Sequence, residues 1–299
     1  MADAAIEIKN LTKRYGRSKV YALKDLSISI MPGEVYGFLG PNGAGKSTTI
    51  RTLMNFIQPT SGGATILGKD IVRDSVSIKR RVGYLSSDMP MYPSMSGEQF
   101  IKYLSSLEGS SEQSYIKELS RTFRADPQKK LGELSRGNKQ KYAIIQAFMH
   151  KPDVLILDEP SSGLDPLMQE AFYGLLKSAK ERGATVFMSS HLLGEVQRVC
   201  DRVGIIREGR LIAERSIAEL QKDAAHTIDI TFRGEPPLAK LKRLSGVEVI
   251  SHDSNHVSVR LKGSLPPLLG LLSEHDVTQL EVRQLDLEEL FIRFYKDEG

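Results

Sequence analysis

Gly40-Pro41-Asn42-Gly43-Ala44-Gly45-Lys46-Ser47-Thr48 follows a short apolar run at 35–39 and precedes a segment with helical spacing at 47–56. Strand, glycine loop and helix form the setting in which the pattern G-x-x-x-x-G-K-[ST] makes a phosphate-binding loop. Glycines let successive backbone N–H groups turn inward with no Cβ in the way, and the helix N-terminus adds its positive end. Lys46 is expected to reach the β- and γ-phosphates and the Ser47 hydroxyl to ligate Mg²⁺. Asn42, Gly43, Gly45 and Thr48 complete the expected nucleotide contacts. The sequence therefore implies a nucleoside triphosphate as ligand.

A second stretch supplies the chemistry. Val154-Leu155-Ile156-Leu157-Asp158-Glu159 reads as a buried strand ending in two carboxylates. Asp158, at the carboxyl end of a strand expected beside the loop's own strand, is placed to hold Mg²⁺ through its water shell. Glu159 points differently and is the candidate general base for an attacking water. His191 closes the next apolar run, 185–190, and is expected at the same sheet edge, in reach of the γ-phosphate or the water; the alternative is an ordinary surface histidine.

In order along the chain, these motifs resemble those of the ATP-binding subunit of an ABC transporter. Leu134-Ser135-Arg136-Gly137-Asn138 is similar to the family's signature segment, and Ser162-Gly163-Leu164-Asp165 to its D-loop. His191 falls at the family's switch histidine, and Tyr15, before Gly16, falls where the family stacks an aromatic ring on adenine. The alternative for Tyr15 is a cap on the sheet edge. The resemblance covers about residues 5–215.

It implies a P-loop NTPase core of the ABC ATPase kind, with ATP and Mg²⁺ as cofactors. It further implies two chains, as a homodimer or a heterodimer with a related ATPase, closing head-to-tail over two ATP molecules. Ser135 and the Gly137 amide would then face the γ-phosphate held by the opposite chain, and Asp165 would carry communication across the interface. ATP would touch both faces only in the closed dimer and so favour that state. A separate integral-membrane permease is implied at the cytoplasmic face of the cell membrane. Arg136, Asn138 and the segment Leu287-Glu288-Glu289-Leu290-Phe291 look like the ABC-2 type exporter branch, which points to export.

Size and composition agree with this frame. The 299 residues suffice for two cores, and 40% hydrophobic with 26% charged residues is an ordinary globular composition. The net charge of +4 is compatible with an anionic surface and demands none. No apolar run approaches the roughly 18–20 residues that span a bilayer. The N-terminus MADAAIEIKN has neither a basic n-region nor an apolar core, so no secretory signal is expected. One cysteine, Cys200, excludes an internal disulfide and is expected as a small core residue in a helix at 192–200.

The expected architecture is α/β. An ATP-binding domain occupies 1–218, with a helical subdomain at about 89–150 in which Phe100, Ile101, Leu104 and Leu107 share a face. Beyond it, 225–299 reads β-α-β-β-α-β, the ferredoxin-like order of a small α+β accessory domain. A final amphipathic helix is expected through Leu287, Leu290, Phe291, Phe294 and Tyr295. Met89, Met91, Tyr92, Pro93 and Met95 form an apolar cluster. In the family this region borders the groove that receives a short helix of the permease, and local core packing is the alternative.

Rival readings meet specific obstacles. A soluble ABC ATPase of translation or DNA repair typically carries two cassettes or long insertions, whereas one phosphate loop and no extended basic run are present, so no nucleic acid is expected. The guanine-reading Asn-Lys-x-Asp of a GTPase is absent, since Asn138-Lys139-Gln140 ends in Lys141. A small-molecule kinase has no use for the signature segment. One position departs from the family: where Gln or Glu is usual after the Gly-Tyr-Leu strand end, Ser87 stands, followed by Asp88. Either can serve the metal. If Asp88 takes the role, Asp88→Ala should lower ATP turnover more than Ser87→Ala; the reverse ranking in a phosphate-release assay assigns it to Ser87.

Overall fold

The computed structural model describes residues 3–16, 20–87, 91–108, 112–223, 226–261 and 264–284. It divides into two compact units, Met1–Ile217 and Ala218–Gly299.

The first unit begins with β1 (Ile6–Arg14) and β2 (Tyr21–Ile30), an antiparallel pair. Strict alternation along β2 buries Leu26, Ile28 and Ile30 and leaves Ser27 and Ser29 in water, the pattern of a sheet with one wet face. β3 (Val35–Leu39) leads into α1 (Lys46–Leu53). β4 (Ser61–Ile66) and β5 (Lys69–Asp70) complete a four-stranded antiparallel sheet in the order β2-β1-β4-β5. α2 (Ser75–Lys79) and β6 (Val82–Leu85) follow.

The helical segment comprises α3 (Gly97–Glu108), α4 (Gln113–Thr122) and α5 (Arg136–Phe148). The α/β alternation then resumes with β7 (Val154–Asp158), α6 (Pro166–Glu181), β8 (Thr185–Ser190), α7 (Leu193–Val199), β9 (Arg202–Arg207) and β10 (Arg210–Ser216). The central sheet runs β10-β9-β3-β8-β7-β6, parallel except for the edge strand β10. β3, β7 and β8 are buried along their whole length, as strands covered on both faces must be.

One apolar cluster joins the two sheets: Ile6, Leu11 and Leu26 of the antiparallel sheet meet Phe38, Phe187 and Ile206 of the central one. Phe187 stacks on Tyr36 with ring centroids 5.9 Å apart and meets Phe38 at 5.3 Å. Cys200 caps the C-terminus of α7 rather than lying within it. Burial holds its thiol pKa well up, so it remains a neutral core group.

The second unit opens with α8 (Ile217–Asp223), whose first residue closes the first unit, and continues with β11 (His226–Phe232), α9 (Leu238–Leu241), β12 (Val247–Asp253), β13 (His256–Leu261), α10 (Pro266–Ser273) and β14 (Val277–Gln284). The sheet is antiparallel in the order β12-β13-β11-β14, the ferredoxin-like arrangement. Ile228, Ile230, Val257 and Val259 form its core with Leu241, Leu268 and Leu272 of the two helices.

Three expectations need correction. β7 is not beside β3: β8 lies between them, because crossover connections, which a strand's own residues do not encode, set the order. Phe100 and Ile101 are buried but Leu107 is 66% exposed, so the apolar face of α3 is narrower than its spacing suggested. The helix after β11 is α-helical only over Leu238–Leu241 and passes into i→i+3 turns, the Arg243 and Leu244 amides donating to the Lys240 and Leu241 carbonyls. The expected helix through Leu287–Tyr295 lies outside the described residues.

Phe187→Ala empties the junction between the sheets. The expected loss is about 3–5 kcal/mol, read as a lower urea midpoint for the first unit with an unchanged m-value.

Candidate functional site

Parallel register brings the chemistry to one sheet edge. Leu39 at the end of β3 pairs with Ser190 of β8, and Ser189 pairs with Asp158 of β7. The loop after β3, the carboxylates after β7 and the histidine after β8 therefore emerge together, at the carboxyl edge where open α/β sheets bind ligands.

The loop after β3 passes into α1 through Gly45, at φ +113°, where an added Cβ would stand 2.8 Å from the Ala22 carbonyl oxygen. Only glycine fits this position. Beside it lies a cavity of about 300 Å³ lined by Ala22, Asn42, Gly43, Gly45, Lys46, Ser47, Thr48, Ser87 and Glu159, among others. The Lys46 side chain, 5% exposed, donates to the carbonyl oxygens of Gly40 at 2.6 Å and Pro41 at 3.3 Å. It also pairs with Glu159 Oε1 at 3.1 Å.

Glu159 Oε2 in turn lies 2.6 Å from His191 Nδ1. Lys46, Glu159 and His191 thus form one chain of contacts at the cavity mouth. Glu159 holds φ +50°, a left-handed conformation uncommon outside glycine and asparagine. Two bonds from its own amide, to the Ser189 hydroxyl at 3.1 Å and the Ser189 carbonyl at 3.3 Å, fix it there. Backbone strain of this kind concentrates at functional positions.

Asp158 is 2% exposed. It accepts from the Ser189 hydroxyl at 2.6 Å and the Ser87 hydroxyl at 3.2 Å, and no ion pair offsets its charge among the described residues. A buried carboxylate without a cation, bonded to Ser87, which lines the same cavity as Ser47, makes a set of hard oxygen donors suited to Mg²⁺. These residues fit the ion. Ser87 reaches the site by way of Asp158 in spite of its short side chain; Asp88 lies outside the described residues.

Other expected residues stand elsewhere. Tyr15 follows the end of β1, is 47% exposed, and lies under the Lys13 ammonium at 5.3 Å; it is not part of the cavity wall. Ser135 caps α5, accepting from the Asn138 amide at 3.4 Å. Asp165 caps α6, accepting from Met168 at 3.0 Å. A Cβ on Gly137 would fall 2.4 Å from the Gly163 carbonyl oxygen, and Arg136 reaches the Ser162 hydroxyl at 3.5 Å. The segment 134–138 and the loop after β7 are therefore packed backbone to backbone.

The expected apolar cluster resolves into an aromatic groove of about 510 Å³ lined by Phe56, Tyr84, Tyr92, Tyr103 and Leu107, among others. Tyr92 alone of the expected five lines it; Met89 is outside the described residues. Sequence reasoning missed Ala22, Ser189 and Ser190. The two serines end β8 as fully buried hydroxyls, and their partners lie on other segments, so no local pattern marks them.

Comparison with known proteins identifies the family. The family model described as ABC transporter matches residues 23–162. The bacitracin transport ATP-binding protein BcrA of Bacillus licheniformis is 38% identical over 220 residues, 73% of this chain and 71% of that protein. The probable multidrug ABC transporter ATP-binding protein YbhF of Escherichia coli (strain K12) is 35% identical over 229 residues, 75% of this chain; the match spans only 39% of YbhF. Among solved structures, the ATP binding subunit of an ABC transporter superposes with a TM-score of 0.68 at 29% identity, covering 73% of this chain and 92% of that one. The chain belongs to the ABC transporter family, as one of its ATP-binding proteins.

Proposed function

We propose that this chain is the ATP-hydrolysing subunit of an ABC exporter, acting as a dimer that closes over two ATP molecules and drives a separate membrane permease. The observation that carries this reading is the chain Lys46–Glu159–His191 at the mouth of the phosphate-loop cavity. A phosphate-binding ammonium, a carboxylate and an imidazole in one line are the parts that water attack on a γ-phosphate requires.

Each residue then has a task. Lys46 exchanges its bond to Glu159 for the phosphate oxygens, which frees the carboxylate. Glu159 accepts the proton of the attacking water, and His191 orients the carboxylate through Nδ1. Ser47, Asp158 and Ser87 would hold Mg²⁺, which supplies charge neutralisation at the phosphates. Ser135 and the Gly137 amide would meet the partner chain's ATP, completing each site only in the closed dimer. Tyr15 would stack on adenine, its position beyond the cavity wall leaving room for the base.

The permease is the reading of the exposed aromatic groove that Ser86 helps to line, where Phe56 is 52% and Tyr92 50% exposed. Among the described residues no helix is long and apolar enough to cross a membrane, so the transport path is assigned to another chain. The proposal of export rests on the likeness to YbhF, a probable multidrug ABC transporter ATP-binding protein, and to BcrA, a bacitracin transport ATP-binding protein.

Lys46→Ala should abolish turnover and weaken ATP binding; wild-type phosphate release from that variant would overturn the loop assignment. Glu159→Gln should bind ATP with unchanged affinity, lose turnover by at least about a hundredfold, and elute as a dimer with Mg-ATP. Tagged Glu159→Gln, recovered from gently solubilised native membranes with Mg-ATP, should bring a multi-span protein in near-equal amount. Ribosomes, nucleic acid or nothing in that eluate would sink the transporter reading and leave the ATPase standing.

A further inference from the structure

His191 is carried by a turn, and the turn is held from behind. Ser189 and Ser190 end β8, both fully buried. The Ser190 hydroxyl oxygen accepts from the Leu192 amide at 3.0 Å. It lies 3.4 Å from the Leu192 carbonyl oxygen and 2.7 Å from Oε2 of Glu195. Glu195, in the first turn of α7, is itself buried at 5% exposure. No ion pair reaches it among the described residues, and its Oε1 is buried without a hydrogen-bond partner among them.

A carboxylate stripped of water and lacking a cation is disfavoured against its neutral acid. Burial pushes the Glu195 pKa up, and the charge of Glu159 pushes the same way, opposed by the Ser190 and Ser161 hydroxyls and by His191. The remaining titratable neighbours are Tyr173 of α6 and Cys200 at the end of α7. Neither brings a positive charge.

We propose that Glu195 is a positioning residue for the reaction at Glu159: as a neutral carboxylic acid it donates to Ser190 Oγ and clamps the Ser190–Leu192 turn that aims His191. With that proton in place Ser190 Oγ accepts two hydrogen bonds, from Glu195 and from the Leu192 amide. Its own hydrogen is then free for the Leu192 carbonyl. The clamp rests on the hydrolytic roles proposed above for Glu159 and His191.

The test compares Glu195→Gln, Glu195→Ala, Ser190→Ala and the double alanine variant in the full chain, with His191→Ala and Glu159→Gln alongside. The readouts are kcat and the affinity for a fluorescent ATP analogue. Glu195→Ala should lose between about ten- and a hundredfold in kcat with nucleotide affinity unchanged. Glu195→Gln, whose amide N–H donates to the same oxygen without charge, should stay within about threefold of wild type. Ser190→Ala should fall as far as Glu195→Ala, and the double variant no further.

The neutral form also fixes a sign. Its contribution is full below the ordinary glutamate pKa and lost as pH rises through the raised value. The melting temperature of Glu195→Gln should therefore gain on wild type as pH rises above the ordinary glutamate range. A glutamine variant as damaged as the alanine one, or a pH-independent difference, would overturn the neutral clamp. So would wild-type kcat in Ser190→Ala, which decides the matter even if Glu195→Ala does not fold. Full turnover in His191→Ala and Glu159→Gln would instead remove the hydrolytic reading on which the clamp depends.

Discussion

A lysine ammonium almost wholly removed from water sets the terms for the rest of the nucleotide site. Its N–H groups face three oxygens: the Gly40 and Pro41 carbonyls accept hydrogen bonds, and Glu159 Oε1, 3.1 Å away, is the ion-pair partner. The two carbonyls can face inward only because the loop after β3 folds back on itself. The carboxylate can arrive only because β7 and β3, separated by β8, end at the same level. Leaving such a charge uncompensated costs several kcal/mol, so loop conformation, strand register and carboxylate placement are bound to one another.

The same constraint accounts for the site's other unusual features. Glu159 must turn sharply away from the direction of β7 to meet Lys46 while Asp158 stays with its serines, and the left-handed backbone at Glu159 is that turn. Strain there is held by hydrogen bonds from a neighbouring strand, so β8 acts as the scaffold for both carboxylates as well as the carrier of the histidine. An apolar residue at 189 would take a hydroxyl from both Asp158 and the Glu159 amide. One serine near the end of the strand thus serves the two carboxylate residues beside it.

Much of this was legible from residue patterns, because phosphate loops and buried parallel strands depend on local chemistry. Glycine spacing announced the loop, and short apolar runs announced β3, β7 and β8. The alternation of the second unit was readable element by element. Strand order was not, since it belongs to the crossovers, and β7 was placed one position too near β3. The role of Ser189 arises from a contact between strands distant in sequence. The reach of Ser87 to Asp158 was hidden for the same reason. Exposure of Leu107 depended on tertiary packing, which spacing along α3 cannot express.

Gly137 and Gly163 meet with no side chain between them. The loop that leaves Glu159 and the loop that presents Ser135 are thus a single mechanical part. In a two-chain assembly that part would belong to both nucleotide sites at once, serving one with its carboxylate and the other with its helix end. Occupancy at one site could then reach the other through backbone alone, and sigmoidal dependence of turnover on ATP concentration is the behaviour such a shared plate would give.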